Sequence, residues 1–376
     1  MSVGCKSEEK KELGRYVEEQ YDFPVNAVTS MAKLDNGDII SVSLGDYGNI
    51  VKLISNDCGK TWESQSIELP IVGDLVPEAV DAVVGSNGDI VVSYAEGEAN
   101  AESELKYAKI DSSGELTDID INIATEDEPK LRVSGIYIAD NGDIFYSYMS
   151  TVVQLDGETL EEKNRYEAED YVLNYTLIGE ELIIQGQEDV VSYDITSGNK
   201  KGKLETLNNE IIDNKDNDYK RILDSNSKDK IYYSSSQGLF EYDLKADKTK
   251  QIVDGSLSNF DNLGNSGMAV NLIEKEDGDF LVLFDEYKNF ELNGVLINYH
   301  FDKELSTFPD KQIFVYSVKE DEIIKNAIES YAKKRRDIYI KYETGVTKEN
   351  CITESDAINI LNRKIMMGKG PDVILL

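Results

Sequence analysis

The chain has 376 residues, which at roughly 100–200 residues per domain predicts two or three domains. Lys and Arg total 39 against 73 Asp and Glu, a net charge of −34. That balance excludes nucleic acid, whose binding is chiefly Lys and Arg on phosphates, and adsorption to an anionic membrane surface. A 40% apolar content with 22 Tyr and 10 Phe supplies a core. One His and three Cys leave almost no material for a zinc site or a cysteine–histidine pair, so neither a metal nor a cofactor is expected. No apolar run approaches the ~18 residues of a membrane span.

Cys5, Cys58 and Cys351 are too few and too scattered for a disulfide framework. Cys5 follows Ser2-Val3-Gly4 and precedes the charged run Lys6-Ser7-Glu8-Glu9-Lys10-Lys11. That order resembles the end of a bacterial lipobox, with Ser2 where Leu is usual and without the preceding apolar region. The resemblance implies a start trimmed of its leader and a lipid on Cys5 as the only membrane attachment. Residues 1–13 are then a lipobox remnant and tether.

Internal repeats come next. Asn36-Gly37-Asp38-Ile39 recurs as Asn87-Gly88-Asp89-Ile90 and Asn141-Gly142-Asp143-Ile144, with a weaker copy at Asp277-Gly278-Asp279-Phe280. Each copy separates two alternating apolar runs, the strongest short-range hairpin signal because the turn tolerates positive φ. A period of about 50 residues is that of propeller blades. Degenerate blades fit around Glu181–Ile184 and Asp229–Tyr233, with Tyr193-Asp194 and Tyr242-Asp243 closing a strand in each. The predicted fold class is mostly β, a six-bladed β-propeller with seven blades as the alternative, over residues 14–310.

One hairpin carries a second signature. Ser55-Asn56-Asp57-Cys58-Gly59-Lys60-Thr61-Trp62 resembles the Asp-box, S-x-D-x-G-x-T-W, of sialidase-like propellers. Ser55, Asp57, Gly59, Thr61 and Trp62 are read as a structural turn, with the carboxylate accepting N–H bonds, Gly59 at positive φ and the single Trp against the sheet. Tyr16–Phe23 aligns with Trp62–Leu69, the outer strand of that blade, while the last blade is one strand short. Residues 14–24 are therefore expected to close the ring.

No catalytic constellation emerges. Arg15, Arg132, Arg165 and Arg221 lack a sialidase Arg-Ile-Pro motif, and His300 sits in an alternating strand with no Cys or second His nearby. Asp213–Asp218 lacks the Gly and the ligand spacing of a calcium loop. The chain is read as a non-enzyme.

At residue 311 the pattern changes. Residues 311–376 carry 12 basic and 10 acidic residues, and the preceding 310 carry a net −36. Ile313–Tyr316, Asp337–Tyr342 and Pro371–Leu376 read as strands. A first helix starts at a Ser317–Glu320 capping box with Ile324, Ala327, Ile328 and Tyr331 on one face. It ends on Lys333-Lys334-Arg335-Arg336, where the helix dipole favours cations. A second starts at Thr353–Asp356 with Ile358, Leu361 and Ile365 inward and Gly368 past its end. β-α-β-α-β is a parallel α/β pattern.

Val315-Tyr316-Ser317 through Leu361–Gly368-Lys369-Gly370-Pro371-Asp372-Val373-Ile374 resembles the start of bacterial extracellular solute-binding proteins, the last segment looking like their G-x-G-P-D-V/I entry to a third strand. The resemblance implies a partial periplasmic-binding-protein-like lobe at 311–376, incomplete as given, and a lipoprotein of an ABC importer for carbohydrate or oligopeptide. Permease subunits would be its partners and a Gram-positive-type bacterial surface its location. The alternative reading is a cell-surface propeller module binding protein or glycan, with a vestigial tail.

Overall fold

The computed structural model describes residues 13–25, 28–45, 49–69, 77–96, 105–121, 123, 132–212, 219–262, 267–288, 291–335, 337–346 and 352–375. Cys5, Cys351 and the Asp213–Asp218 run lie outside them. The chain divides into two compact units, one of Glu18–Gly255 with Phe260–His300, the other built mainly from Phe301 onward.

The strands, in order, form one sheet per blade. β1 (Leu13–Tyr21) precedes blade one, β2 (Val28–Lys33), β3 (Ile39–Leu44), β4 (Ile50–Ser55) and β5 (Glu63–Ile67). Blade two is β6 (Pro77–Val84), β7 (Ile90–Glu96), β8 (Leu105–Ile110) and β9 (Leu116–Ile119). Blade three is β10 (Gly135–Ile138), β11 (Ile144–Tyr148), β12 (Thr151–Leu155) and β13 (Glu162–Glu167). Blade four is β14 (Val172–Ile178), β15 (Glu181–Gly186), β16 (Val190–Asp194) and β17 (Lys200–Lys203), followed by α1 (Glu205–Ile211). Blade five is β18 (Arg221–Ile222), β20 (Lys230–Ser235), β21 (Gly238–Asp243) and β22 (Lys248–Asp254), with β19 (Asp224–Ser225) passing to the next sheet. Blade six has the order β1-β25-β24-β23-β19, from β23 (Gly267–Glu274), β24 (Phe280–Lys288) and β25 (Glu291–Ser306). The fold is a six-bladed β-propeller.

Burial within each blade follows from the stacking. Second strands such as β3 and β7 are buried on both faces, while outer strands such as β5 are exposed and polar. Apolar clusters fill the seams between consecutive blades. The seam between blades six and one holds Tyr21, Val28, Met31, Ile39, Ile273, Leu281, Leu283 and Leu296. β1 is the outermost strand of blade six, and Tyr299 Oη donates to Glu18 Oε1 at 2.8 Å.

The repeated turns differ in detail from a two-residue Asn-Gly hairpin. Gly37 N–H bonds Leu34 O at 2.9 Å and Leu34 N–H bonds Asp38 O at 2.8 Å, so three residues span the turn and only the glycine has positive φ, 90°. Asn36 and Asp38 lock it from both sides, Nδ2 to Oδ2 at 2.8 Å and Asp38 N–H to Asn36 Oδ1 at 3.0 Å. The Asn87–Asp89 and Asn141–Asp143 copies repeat both bonds.

In the second unit, β26 (Lys311–Lys319) lies parallel between β27 (Ile338–Val346) and β28 (Val373–Leu375), with α2 (Glu322–Lys334) and α3 (Glu354–Met366) as the crossovers. Two local expectations are corrected. Ser317 lies in β26, and α2 is started instead by Asp321, whose Oδ1 accepts from Ile323 N–H at 2.9 Å. On α3, Ala357 and Leu361 face the core with Tyr316 and Val318, whereas Ile358 and Ile365 are 39% and 44% exposed. The Thr353–Asp356 capping box does form, and Gly368 (φ 71°) closes α3, with Gly368 N–H to Ile365 O and Lys369 N–H to Lys364 O, both 2.9 Å.

Candidate functional site

The innermost strands of a propeller surround its axis, and here they line a pocket of about 290 Å3. Its position follows from a device repeated around the ring. Pairing with the second strand slips between Val28 and Ser30, Ala79 and Asp81, Val172 and Asn174, and Ala269 and Asn271. Such bulges insert one residue and re-aim the side chain that follows. In all four blades that side chain is polar, and all four residues line the pocket.

Three of them bridge to a neighbouring strand or blade. Ser30 Oγ accepts from Val84 N–H at 3.2 Å, Asn174 Nδ2 donates to Ile222 O, and Asn271 Nδ2 donates to Asp224 Oδ2 at 2.9 Å. Asp81 accepts from its neighbour Ala82 N–H at 2.9 Å. Arg221 is held by its flanks, because Gln185 Nε2 donates to Lys220 O at 2.8 Å and Gln185 Oε1 accepts from Ile222 N–H at 2.9 Å.

The charges gathered there are strongly perturbed. Burial pushes the Asp224 carboxyl up to about 7, against hydrogen bonds from Asn271 and Tyr137. Burial pushes Asp285 up to about 6, partly offset by the Arg221 guanidinium and reinforced by Asp81. Asp81 is raised by burial as well, and burial holds Tyr137 and Tyr175 well above the usual phenol range. Four buried polar atoms of the lining have no hydrogen-bond partner, namely Arg221 Nε, Ser225 Oγ, Asn271 Oδ1 and Asp285 Oδ1. Asn271 and Ser225 are only 5% and 7% exposed. The arrangement gathers a guanidinium, an amide and several carboxyls in one concave space.

The residues singled out in the sequence lie elsewhere. Asp57 Oδ1 accepts from Ser55 Oγ (2.8 Å), Thr61 N–H (2.8 Å) and Lys60 N–H (3.1 Å), and Oδ2 from Thr61 Oγ1 (2.7 Å). These bonds, chiefly those from Thr61, lower its carboxyl to about 2. Ser55 Oγ accepts from Gly59 N–H, and Trp62 Nε1 donates to Gly59 O. Trp62 stacks on Phe23 with centroids 4.8 Å apart, and a Cβ on Gly59 (φ 88°) would meet Leu281 Cδ2 at 2.9 Å. The turn therefore serves the seam between blades one and six, and none of its five residues lines the axial pocket. His300, 60% exposed, pairs with Asp279 at 2.7 Å, also away from the pocket. Among the described residues no group of three or more His, Cys, Asp or Glu is placed to hold a metal.

Sequence reading missed Asp81, Asp224, Asp285 and Asn271. A signal for some of them existed. Ser30, Asp81 and Asn271 each stand six residues before Asn36, Asn87 and Asp277 of the repeated turns, polar positions inside apolar strands.

No protein-family model matches the chain, and no curated protein matches it. Similar solved structures include a catalytically inactive variant of virginiamycin B lyase from Staphylococcus aureus with quinupristin, 12% identical over 76% of this chain and 99% of that one, TM-score 0.45. Another is the Trypanosoma rangeli sialidase with the inhibitor DANA, 13% identical over 73% of this chain and 55% of that one, TM-score 0.46. The extracellular domain of a hybrid two-component system from B. thetaiotaomicron is 12% identical over 78% and 37%, TM-score 0.41. These likenesses concern the propeller fold alone.

Proposed function

We propose that the propeller is a non-enzymatic binding module whose axial pocket holds a small hydroxyl-rich ligand of the glycan class. The observation that carries this is the set of unpartnered buried atoms on Arg221, Ser225, Asn271 and Asp285. Buried polar groups are almost always paired, and an unpaired one costs about 1–3 kcal/mol. A sugar's hydroxyls donate and accept, so one ligand satisfies the guanidinium, the amide oxygen and the carboxylate together. At about 290 Å3 the pocket sits at the small end of ligand sites, fitting one or two sugar rings better than a protein loop.

Calorimetric titration with a panel of mono- and disaccharides tests this. Binding should appear, weaken at least about tenfold in Arg221→Ala, and be accompanied by no turnover of fluorogenic glycosides. A glycan-inert chain that captures peptides instead would overturn the ligand class, and turnover would overturn the non-enzymatic reading.

Surface display through a lipid on Cys5 belongs to the same proposal. Metabolic labelling with an alkyne fatty acid should mark the chain in a bacterial host and be lost in Cys5→Ala. The importer role, with permease subunits as partners, rests on the resemblance of residues 315–373. Its most telling residues have structural work to do in the α/β unit. Gly368 ends α3, and Asp372 clips β28 to β26 through Phe314 N–H to Asp372 Oδ2 and Asp372 N–H to Phe314 O, both 2.8 Å. We therefore place the binding function in the propeller.

A further inference from the structure

We infer that the ligand is an oligosaccharide reaching beyond the axial pocket into a second cavity, between blades three, four and five; this rests on the glycan reading above. The second cavity, of about 310 Å3, shares Tyr137, Asp140, Ser225 and Asn226 with the first. One cavity thus begins where the other ends, on the side of the propeller that carries the Asn141–Asp143 turn.

Two hydroxyls mark the path. Ser225 Oγ, which lines both cavities, and Ser227 Oγ, which lines the second, are buried without a hydrogen-bond partner, at 7% and 6% exposure. The segment Asp224–Lys228, which is β19 and the start of the link to β20, therefore presents successive polar side chains along the junction, and Asn226 is fixed there by Glu274, with Nδ2 to Glu274 O at 3.1 Å and Glu274 N–H to Oδ1 at 2.7 Å.

The far wall is preorganised. Gln154 Nε2 donates to Asp143 Oδ2 at 2.7 Å, Lys163 Nζ bonds both oxygens of Asp143, and Asn164 Nδ2 donates to Gln154 Oε1 at 2.9 Å. These bonds fix the direction of the amides and the ammonium before any ligand arrives, which lowers the ordering cost of binding. One or two sugar rings fit one cavity; a linear chain of three or four units reaches both, past a junction where three of the four shared residues are Asp, Ser and Asn.

The test is a chain-length series of linear gluco-oligosaccharides, one to four units, titrated calorimetrically into the full chain. Affinity should rise at least about tenfold from one unit to three. Thr196→Trp, at an exposed rim position of the second cavity, should abolish that rise while leaving monosaccharide affinity within about twofold. Ser227→Ala should reduce the rise, and Arg221→Ala should weaken every length alike. A flat length dependence, or a rise insensitive to Thr196→Trp, overturns the extended site while the axial site stands. Absence of binding at every length, with all variants folded by circular dichroism, overturns both.

Discussion

The Ser55–Trp62 turn and the axial pocket treat their carboxylates in opposite ways. At the turn, Asp57 is half-buried and receives four hydrogen bonds, so its ionised form is favoured and its pKa falls to about 2. At the axis, Asp224 and Asp285 lose water faster than they gain partners, and their pKa values rise to about 7 and 6. The first arrangement stabilises the fold; the second costs stability while the carboxylates are ionised. The proposed binding function rests on the axis, and the turn serves the seam between blades one and six.

The largest expected effect falls on the seam. Removing residues 1–24 takes away β1, Tyr21 and the Phe23 ring that stacks on Trp62, and should lower the melting temperature by at least about 5 °C. An unchanged melting temperature would show that β1 does not close the ring. Gly59→Ala comes next. It forces positive φ on a residue with a Cβ and pushes that Cβ against Leu281, for a loss of about 1–3 kcal/mol in urea unfolding.

The axis should respond in the other direction. Asp224 has its folded pKa raised above the unfolded value of about 3.9, so its contribution is present below pH ~4 and is lost as pH rises through about 7. Asp224→Asn should therefore melt higher than the parent at pH 8, with the gap closing toward pH 5. A variant equally destabilised at both pH values would mean that the charge is not what the pocket strains against. For Asp57 the sign reverses: its pKa is depressed, its contribution is present above pH ~4 and is lost as pH falls through about 2. Asp57→Asn should thus lose its stability deficit in melts run toward pH 2. The smallest effect is that of Ile365→Glu on α3, which at an exposed position should change stability by no more than about 0.5 kcal/mol in urea unfolding.

The turns and the α3 cap were legible in the sequence because their signals are local. An eight-residue turn motif, three Asn-Gly-Asp repeats and a Thr353–Asp356 cap each act within a few residues of chain, so spacing alone reveals them. The axis was not, because Asp81, Arg221, Asp224, Asn271 and Asp285 come from three different blades and meet only after the ring closes. In a chain with 73 acidic residues no single Asp stands out. Asp81 and Asn271 follow bulges, which a sequence pattern shows only as one residue too many in a strand, and Arg221, Asp224 and Asp285 carry no such local mark. The same limit explains α3, where a 3.6-residue apolar stripe could not say that Ile358 and Ile365 face outward while Ala357 and Leu361 face the sheet.

A crystal structure with a bound saccharide from the calorimetric panel tests the central claim most directly. Density is expected in the axial pocket, with ligand oxygens in hydrogen-bonding distance of Arg221 Nε and Asn271. A ligand seated on the outer strands of the blades, with those two side chains untouched, would contradict it.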